Sequence, residues 1–479
     1  MRFIRGWVSV ALLAASAGCD AFPGLAFLFN PVEAVTTSWV LRWNSIALEA
    51  GRLDHTPVQP GENRVFGHQL GPVRASRALA IVHIAMFDAL NAIAGGYQGY
   101  TGIPAATPDT SMKAAVAQAA RDTLAALYPS HTPTFDAALA EDLAAILNSA
   151  ARDRGVGIGR AAAEAILALR ADDGSDDNTP WVYSDAPGRW RADPITPENP
   201  PLGPNWGRVR PFVMTRGDQF RAPPPPPIDG AEYAAAYNAV RQIGGDGINT
   251  PTIRTEGQTR IGIYWGYDGT PGLGPPLRLY NQIAVRIATD RGLDVMSLAR
   301  MLALVNVAMA DAGIGIWESK YHYDYWRPVT AIREAEPGTG PTGQGDGNPA
   351  TQGDPGFTPL GAPASNLAGP NFTPPFPTYP SGHAGFGGAL FEVLREFFGT
   401  DLVPFVFVSD EFNGLTRDNQ GNVRPFMPRV FSTLSQAEEE NGQSRIYLGI
   451  HWEFDKTEGI VLGRRVGNYV FSNVFRPAR

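Results

Sequence analysis

The chain has 479 residues, of which 44% are hydrophobic and 18% are charged, which is the balance of a folded globular protein and not of a disordered one. Its formal net charge of -8 argues against a nucleic-acid partner, because binding to phosphate backbones needs a concentrated basic surface. Any anion site must therefore be a local cluster of cations. Lysines are scarce, since Lys113, Lys320 and Lys456 are the only ones.

Residues 1–34 are predicted to be an export segment. A short basic start precedes the apolar run VSVALLAASAG, which is too short to span a bilayer. Cys19 follows this run and is the only cysteine, so we expect no disulfide in the mature protein. Lipidation of Cys19 and cleavage after a small-residue pattern such as 32–34 both remain open. We expect an exported protein, periplasmic or secreted, without a transmembrane span in its mature body.

Helical periodicity dominates from about residue 35 and predicts an all-α fold of two packed helix bundles in one large domain with long Pro/Gly-rich loops. The N-terminal bundle is expected at 35–250 with a wrapping loop at 173–230, and the C-terminal bundle at 251–479 with a second loop at 336–379. No alternating strand pattern is evident. The predicted helices are 36–51, 75–94, 111–128, 134–151, 157–171, 231–243, 255–266, 276–291, 293–319, 381–399, 434–450 and 455–474.

An internal similarity relates the two predicted bundles. Residues 77–90 and 300–313 agree at eight of fourteen positions without a gap. Two related helical units would explain this agreement. Convergence of two alanine-rich core helices on one pattern is the alternative.

The first of three unusual polar segments is KYHYDYWRP at 320–328, directly after an apolar helix. If that helix continues, Lys320 and Arg327 are two turns apart on one face and point into one cavity. Taken alone, such a pair more often flanks a solvated face, with its stems on aromatic neighbours such as Tyr325 and Trp326.

The second segment, PTYPSGHAGFGG, predicts a helix that begins at Ser381. The first free amides of that helix, together with the Ser381 hydroxyl, would meet an anion, and Gly382 has no side chain to block its approach. His383 lies in the first turn and is suited to proton transfer near neutral pH. Capping alone explains Ser381, but not Gly382 and His383 together with the glycines at 385, 387 and 388.

The third segment, SRIYLGIHWEFD, contains Arg445, His451 and Asp455, and the last two can share a helix face. A single histidine beside Trp452 is more often a hydrogen-bonded core residue. Burying two arginines, a lysine and two histidines without an anionic partner would cost several kcal/mol per ion, which is about the penalty of an unpaired buried charge. The three segments together therefore predict a site for a tetrahedral oxyanion.

In this order, the three segments resemble the signature of the vanadium-dependent haloperoxidases and of the related type 2 phosphatidic acid phosphatases. The signature is Lys, six residues and Arg-Pro; then Pro-Ser-Gly-His; then Ser-Arg, five residues and His. The likeness extends from about residue 254 to 455 and is greatest to the vanadium chloroperoxidase branch. It implies that His451 is the only protein ligand of vanadium, and that the vanadate oxygens are held by Lys320, Arg327, Ser381, Gly382 and Arg445.

The resemblance also implies an activity. Halide, chloride and/or bromide, would be oxidised by hydrogen peroxide to a hypohalous acid equivalent that reacts with an organic acceptor, with vanadate as the cofactor and without heme or flavin. His383 would be the acid-base group, Lys320 would polarise bound peroxide, and Asp268 would support His383 and one arginine. Trp317 and Phe376 match the aromatic pair of the chloroperoxidases, which implies competence with chloride.

Two other functions remain as alternatives. The same pocket fits phosphate, so an acid phosphatase of the same superfamily is one of them. In that enzyme His451 would attack phosphorus to form a phosphohistidine, and His383 would protonate the leaving group. The other is an exported oxyanion-binding or structural protein without catalytic activity. A monomer and a homodimer both remain open.

Overall fold

The computed structural model describes residues 38–478. Within this range the chain forms thirteen α-helices and one antiparallel hairpin of two strands. The helices are α1 (Ser38–Asp54), α2 (Pro72–Ala94), α3 (Met112–Leu127), α4 (Thr132–Ala144), α5 (Ser149–Arg170), α6 (Ala231–Ile243), α7 (Glu256–Tyr264), α8 (Pro276–Asp290), α9 (Val295–Tyr323), α10 (Pro328–Arg333), α11 (Gly382–Phe398), α12 (Leu434–Tyr447) and α13 (Glu453–Asn473). The strands are β1 (Phe405–Asn413) and β2 (Phe426–Phe431). The predicted export segment, including Cys19, lies outside the described residues.

The predicted all-α class is confirmed, and most helices begin and end within a few residues of the predicted bounds. One predicted helix, 134–151, was wrong, because it joins the end of α4 to the start of α5 across a break. The Asn148 side chain caps α5 by accepting the amide hydrogen of Ala151 at 3.0 Å, which stabilises a new helix start at that point.

The hairpin β1–β2 was missed by the sequence analysis. The buried positions of β1 include Phe405 and Phe407, but also the polar residues Ser409 and Glu411. Polar side chains at inward-facing positions interrupt the apolar alternation by which a half-buried strand is detected. The hairpin was therefore hidden by buried polar residues.

One continuous hydrophobic core extends through the described chain, from Val40 in α1 to Phe475 after α13. Both predicted bundles contribute to it, so they share an interior, and the predicted boundary near residue 250 stays a prediction. The wrapping loop 173–230 belongs to the same core through residues such as Trp190 and Trp206. From Trp190 onward, this loop is therefore packed against the helices at several positions.

The two similar sequence segments lie in α2 and α9 and make equivalent contacts with the helix that precedes each of them. His83 in α2 contacts Asn44 in α1, with 2.9 Å between Nε2 and Oδ1. At the corresponding place, Asn306 in α9 exchanges two hydrogen bonds with Asn281 in α8, at 2.8 and 2.9 Å. The pairs α1–α2 and α8–α9 are thus similar in contacts as well as in sequence.

A second equivalence concerns the aspartate that the two segments share. Asp88 accepts the amide hydrogens of Tyr100 and Thr101 at 2.8 and 2.7 Å. Asp311 accepts three amide hydrogens from residues 212–214 at 2.6 to 2.8 Å. Each carboxylate therefore fixes a loop that crosses its helix, and Asp311 holds the wrapping loop on α9.

Two of the helices, α2 and α9, are long and apolar enough to cross a membrane by length and composition. The most apolar window of α2 is 83% buried inside the protein and that of α9 is 78% buried. Both helices also lie in the shared core, which accounts for their apolar composition.

Glycines allow α11 and α13 to pack with their backbones in contact. Gly459, Gly463 and Gly467 are spaced by one helical turn along one face of α13. A Cβ atom at Gly463 would lie 2.1 Å from the carbonyl oxygen of Gly385 in α11. The glycines at 385, 387 and 388, which the sequence analysis associated with the anion site, have neighbours in helix packing instead: Ile316 at 385, Asn441 at 387 and Ile460 at 388.

We expect Gly463→Ala to lower the free energy of unfolding by about 1–3 kcal/mol, the usual cost of overpacking a tight interface. The control is Gly157→Ala in α5, where a Cβ atom has no neighbour within 4 Å. Alanine favours an exposed helix interior over glycine, so the control should not destabilise. Thermal unfolding of both variants measures the difference, and equal melting temperatures would contradict the close packing of α11 and α13.

Candidate functional site

The predicted site residues from distant parts of the chain surround one cavity of about 410 Å³. Seven of the ten line it: Asp268, Trp317, Phe376, Gly382, His383, Arg445 and His451. The other three, Lys320, Arg327 and Ser381, are buried beside this lining. Lys320 Nζ and Arg327 Cζ each lie 5.1 Å from the centroid of the Phe376 ring. The structure therefore brings all ten residues together.

Lys320 and Arg327 reach the site from different helices, which corrects the sequence prediction. Lys320 lies in the last turn of α9, and Asp324 ends that helix in a left-handed conformation with φ of 53°. Arg327 follows in an extended conformation as the N-cap of α10. The prediction that both residues share one helix face was wrong, because the chain reverses at Asp324 and turns Arg327 toward the same cavity.

Backbone carbonyl groups of the Pro-rich segment before α11 surround both cations. Lys320 Nζ donates to the carbonyl oxygens of Pro377 and Thr378 at 2.7 and 2.8 Å. Arg327 Nε donates to that of Phe376 at 3.0 Å. Proline has no backbone N–H, so this segment offers mainly acceptors. The carbonyl groups satisfy some donors of each cation and leave it without a carboxylate partner in direct contact.

The neighbours of His451 hold its ring in one tautomer. Arg327 Nη1 lies 2.9 Å from His451 Nε2, and Asp455 Oδ2 lies 2.8 Å from Nδ1. A guanidinium group only donates, so Nε2 must accept and the ring proton must lie on Nδ1. The lone pair of Nε2 is therefore available to a ligand or an electrophile that takes the place of the arginine contact.

Asp455 orients His451 from the first turn of α13. Its Oδ2 atom also accepts the amide hydrogen of Trp452 at 3.0 Å and the Thr378 hydroxyl. His451 itself precedes α13, so the prediction that it shares a helix face with Asp455 was wrong, although the two side chains do meet. Thr378 was missed by the sequence analysis, and its only signal was its place in the segment before Ser381.

Arg445 and Asp268 form a buried ion pair. Arg445 Nη2 lies 2.7 and 3.0 Å from the two carboxylate oxygens of Asp268, and both side chains are 5% exposed or less. The Nε and Nη1 atoms of Arg445 are buried without a hydrogen-bond partner. Nη2 is therefore occupied by Asp268, while Nε and Nη1 remain donors without a protein acceptor.

His383 is fixed by a backbone carbonyl group. Its Nε2 atom lies 2.7 Å from the carbonyl oxygen of Gly266. A carbonyl oxygen only accepts, so Nε2 carries the ring proton and Nδ1 is the basic nitrogen. This partner differs from the predicted support by Asp268, which pairs with Arg445. Gly266 was not singled out by the sequence analysis, since a glycine in an aromatic run carries no signal of this contact.

The start of α11 has the predicted geometry. Ser381 is the N-cap, and its backbone amide donates to the carbonyl oxygen of Asp455 at 2.9 Å, which joins the starts of α11 and α13. The first amides of a helix have no acceptor within that helix. Gly382 lines the cavity at this point, and a Cβ atom there would lie 3.5 Å from the Trp317 ring.

Burial and mutual repulsion change the protonation of the cluster. The pKa of Lys320 is lowered well below its usual value by burial and then by Arg327, and that of Arg327 falls to about 9 through burial. Burial and nearby Arg445 lower the pKa of His383 to about 4, and burial and Arg327 lower that of His451. Burial raises the pKa of Asp455 to about 7. All five shifts disfavour the charged form, and an anion among the cations would oppose the four that concern bases.

Trp317 and Phe376 form an aromatic wall beside Lys320. Their ring centroids are 4.8 Å apart, and Lys320 Nζ lies 5.8 Å from the Trp317 ring. The wrapping loop orients this wall, because Trp317 Nε1 donates to the Leu202 carbonyl oxygen at 3.0 Å. A Cβ atom at Gly203 would come within 3.0 Å of the indole. The loop therefore leaves little freedom to Trp317.

These residues fit a tetrahedral oxyanion such as vanadate. The free donors of Arg445, the start of α11 and the remaining N–H groups of Lys320 and Arg327 supply charge-assisted hydrogen bonds. His451 Nε2 supplies one nitrogen lone pair. Within residues 38–478 there is no cluster of three or more His, Cys, Asp or Glu side chains that could hold a bare metal ion. The donor set of this cavity thus suits an oxyanion with one nitrogen ligand.

Comparison with known families gives the class of protein. Residues 30–202 match the family model of the vanadium chloroperoxidase (VCPO) N-terminal domain. Residues 300–479 match the family model of the VCPO second helical-bundle domain. The chain belongs to the vanadium chloroperoxidase family of the vanadium-dependent haloperoxidases.

Individual relatives agree with this assignment. The chain is 32% identical to the vanadium chloroperoxidase of Curvularia inaequalis, over 88% of this chain and 80% of that protein. Its fold is similar to that of a bacterial vanadium-dependent iodoperoxidase, with a TM-score of 0.70, 23% identity and coverage of 91% of this chain and 97% of the other. It is also similar to a holo-type bacterial vanadium-dependent chloroperoxidase, with a TM-score of 0.65, 17% identity and coverage of 88% and 94%.

We expect orthovanadate and inorganic phosphate to raise the melting temperature of the protein, because a ligand at 100 times its Kd stabilises the native state by about 2.7 kcal/mol. Arg445→Gln, which removes the free donors, should abolish most of this stabilisation. The control is Arg77→Gln, an arginine that pairs with Asp173 at 2.7 Å outside the cavity. An equal response to both anions in the two variants would show that they bind elsewhere.

We also expect oxyanion binding to take up protons. A bound anion favours the protonated forms of Lys320, His383 and His451, whose pKa values lie below their usual range, so each pKa rises on binding. The affinity should therefore increase as the pH falls from near neutral toward about 4, the pKa of His383. Calorimetric titration with sulfate, whose own charge is constant near neutral pH, in buffers of different ionisation enthalpy measures this uptake; proton release would contradict it.

Proposed function

We propose that the protein is a vanadate-dependent haloperoxidase that oxidises chloride and/or bromide with hydrogen peroxide to a hypohalous acid equivalent. The observation that carries the proposal is His451, whose Nε2 lone pair faces a group of buried cations with hydrogen-bond donors to spare. Membership of the haloperoxidase family supports the choice of vanadate.

The residues divide into those that would hold the oxyanion and those that would hold a proton. Lys320, Arg327, Arg445, Ser381 and the Gly382 amide would bind its oxygens, and His451 Nε2 would be its only protein ligand. When bound, vanadate supplies a Lewis-acidic centre at which hydrogen peroxide becomes able to transfer an oxygen atom to halide. Lys320, with two of its three donors on carbonyl groups, would direct the remaining one at the peroxide.

His383 is the proposed acid-base group. Its Nε2 proton is held by the Gly266 carbonyl group, so Nδ1 is free to accept a proton from hydrogen peroxide and to return it to a leaving oxygen as water forms. The lowered pKa keeps the ring neutral near neutral pH, the form in which it can act as a base. Asp268 would act on Arg445, whose guanidinium group it orients.

The organic acceptor would react in or near the same cavity. Peroxide and halide are small and polar and need little of its volume, whereas much of the lining is apolar and includes Leu70, Leu202, Phe372 and several prolines. An apolar ring gains free energy in such surroundings at about 25 cal/mol per Å² of buried surface. We therefore propose that the acceptor is an organic molecule with an apolar ring.

An acid phosphatase is the second candidate, because phosphate is also a tetrahedral oxyanion and His451 Nε2 has the lone pair of a nucleophile. In that reaction His451 attacks phosphorus, and His383 protonates the leaving oxygen. The largely apolar cavity lining and the family favour the haloperoxidase.

Export remains a proposal for residues 1–34. Mass spectrometry of the mature protein from its native host would give the mass of its first peptide. A diacylated Cys19 would indicate lipid anchoring, cleavage near 32–34 would indicate release, and an intact Met1 would contradict export through this segment.

We expect the purified protein with orthovanadate, hydrogen peroxide and bromide to brominate a phenol-type dye. His383→Ala should lower kcat by about 10²–10⁴-fold, the range of a positioned acid-base group, and should still bind vanadate. His451→Ala should lose both activity and tight vanadate binding. Release of phosphate from a chromogenic ester, inhibited by vanadate and without halogenation, would support the phosphatase instead.

We expect chloride to be oxidised at mildly acidic pH, because Trp317 and Phe376 form an apolar wall beside Lys320. The measurement is the rate with chloride, bromide and iodide for the wild type and for Phe376→His. A loss of chloride activity with bromide activity retained would support the role of the wall. Reaction with bromide and iodide alone in the wild type would contradict it.

A further inference from the structure

The hairpin β1–β2 contacts the backbone segment that carries Gly266 and Asp268. Tyr264 and Tyr267, on either side of Gly266, are both bonded to β1: Ser409 Oγ donates to the Tyr264 carbonyl oxygen at 2.6 Å, and the Asp410 amide donates to the Tyr267 hydroxyl oxygen at 2.6 Å. Two hydrogen bonds therefore join the hairpin to residues 264–267.

Glu411 is the centre of this contact. Its side chain is fully buried, accepts the Ser365 hydroxyl at 2.6 Å through Oε2 and forms an ion pair with Arg424 through the same atom. The other oxygen, Oε1, lies 3.4 Å from the Tyr267 amide nitrogen. One carboxylate oxygen is thus fixed within the hairpin region and the other faces the segment 264–268.

Gly266 fits closely against Glu411. A Cβ atom at this position would lie 2.5 Å from Glu411 Oε1. Tyr267 adopts a left-handed conformation with φ of 56°, which is unusual for a residue other than glycine. An uncommon backbone conformation persists only where the surroundings determine it, and here the surroundings are Glu411 and the rest of β1.

Burying a carboxylate costs free energy that an apolar residue at the same position would not. A buried carboxylate is therefore expected to have a role that an apolar residue cannot fill. Burial raises the pKa of Glu411 to about 7, against the effect of Arg424. The hydrogen-bond partners of its carboxylate are Tyr267, Ser365 and Arg424, none of which lines the cavity. Its position is explained if it fixes the direction of the Gly266 carbonyl group.

We propose that Glu411 is a positioning residue that keeps His383 in its catalytic tautomer by fixing the Gly266 carbonyl group against Nε2. The carbonyl group holds the proton on Nε2, and Nδ1 remains the basic nitrogen that would accept a proton from hydrogen peroxide. Glu411 touches no reactant and acts through Gly266. This assignment rests on the proposed role of His383, so its test includes a measurement that requires no halide oxidation.

The variant for this test is Glu411→Gln, which keeps the shape of the side chain. Its amide NH₂ group must face either Arg424 or the Tyr267 amide, so one donor meets another and the fit is lost. The control is Asp311→Asn, which changes a buried carboxylate in the same way but lies on α9, where it binds residues 212–214. Both variants should lower the melting temperature.

The direct measurement is the imidazole ¹⁵N spectrum of His383 in protein labelled at histidine, assigned by loss of its signals in His383→Gln. The wild type and Asp311→Asn should show a proton on Nε2, whereas Glu411→Gln should show a mixture of both tautomers. An unchanged His383 tautomer in Glu411→Gln would overturn the proposal, whatever reaction the enzyme catalyses.

The second measurement is a double-mutant cycle on kcat with vanadate, peroxide and bromide. Glu411→Gln should lower kcat roughly ten-fold, a part of the ~10²–10⁴-fold that a positioned acid-base group contributes, with little change in KM for bromide. In the His383→Ala background it should have no further effect. An equal loss in both backgrounds would indicate a merely structural role and would contradict the proposal.

Discussion

The site depends on one constraint, which is that three cations lie together in a buried pocket. Lys320, Arg327 and Arg445 are each 1% exposed or less. Removing an uncompensated charge from water costs about several kcal/mol of desolvation free energy, so the neighbours of these cations must lower that cost. Carbonyl groups of the Pro-rich segment surround Lys320 and Arg327, and Asp268 pairs with Arg445. What these neighbours leave uncompensated is a positive potential that suits an oxyanion. Burial, followed by the charge of Arg327, lowers the pKa of Lys320.

Helix packing determines where that potential lies. Gly385 and Gly463 bring the backbones of α11 and α13 into contact, and the Ser381 amide then reaches the Asp455 carbonyl oxygen at 2.9 Å. Two helix starts therefore meet at the site, one with its free amides and the other preceded by His451. Residues outside the cavity lining thus determine the distance between His451 and the amides.

The sequence predicted which residues lie together better than it predicted how each of them reaches the cavity. Charged residues such as Lys320 and Arg445 stand out by identity, and the helix start at Ser381 has a local signature, so both could be found without a structure. The route by which Arg327 reaches the cavity could not, because it depends on the left-handed turn at Asp324, which helical periodicity does not reveal. Contacts through the backbone could not be predicted either. The Gly266 carbonyl group that holds His383 belongs to a residue without a side chain, so no residue type indicates the contact.

The parts of the fold that were predicted least well are those that orient the chemical groups. The wrapping loop supplies the Leu202 carbonyl group that holds Trp317, and the hairpin holds the segment with Gly266. Structures with this helical fold include both an iodoperoxidase and a chloroperoxidase, so the helices alone do not determine which halide is oxidised. Irregular segments tolerate substitution without loss of the core, and here they position the aromatic wall and the His383 ring. Differences in halide range within one fold are therefore expected to arise from these loop contacts, where a change of one carbonyl direction moves an indole or an imidazole and leaves the cation cluster in place.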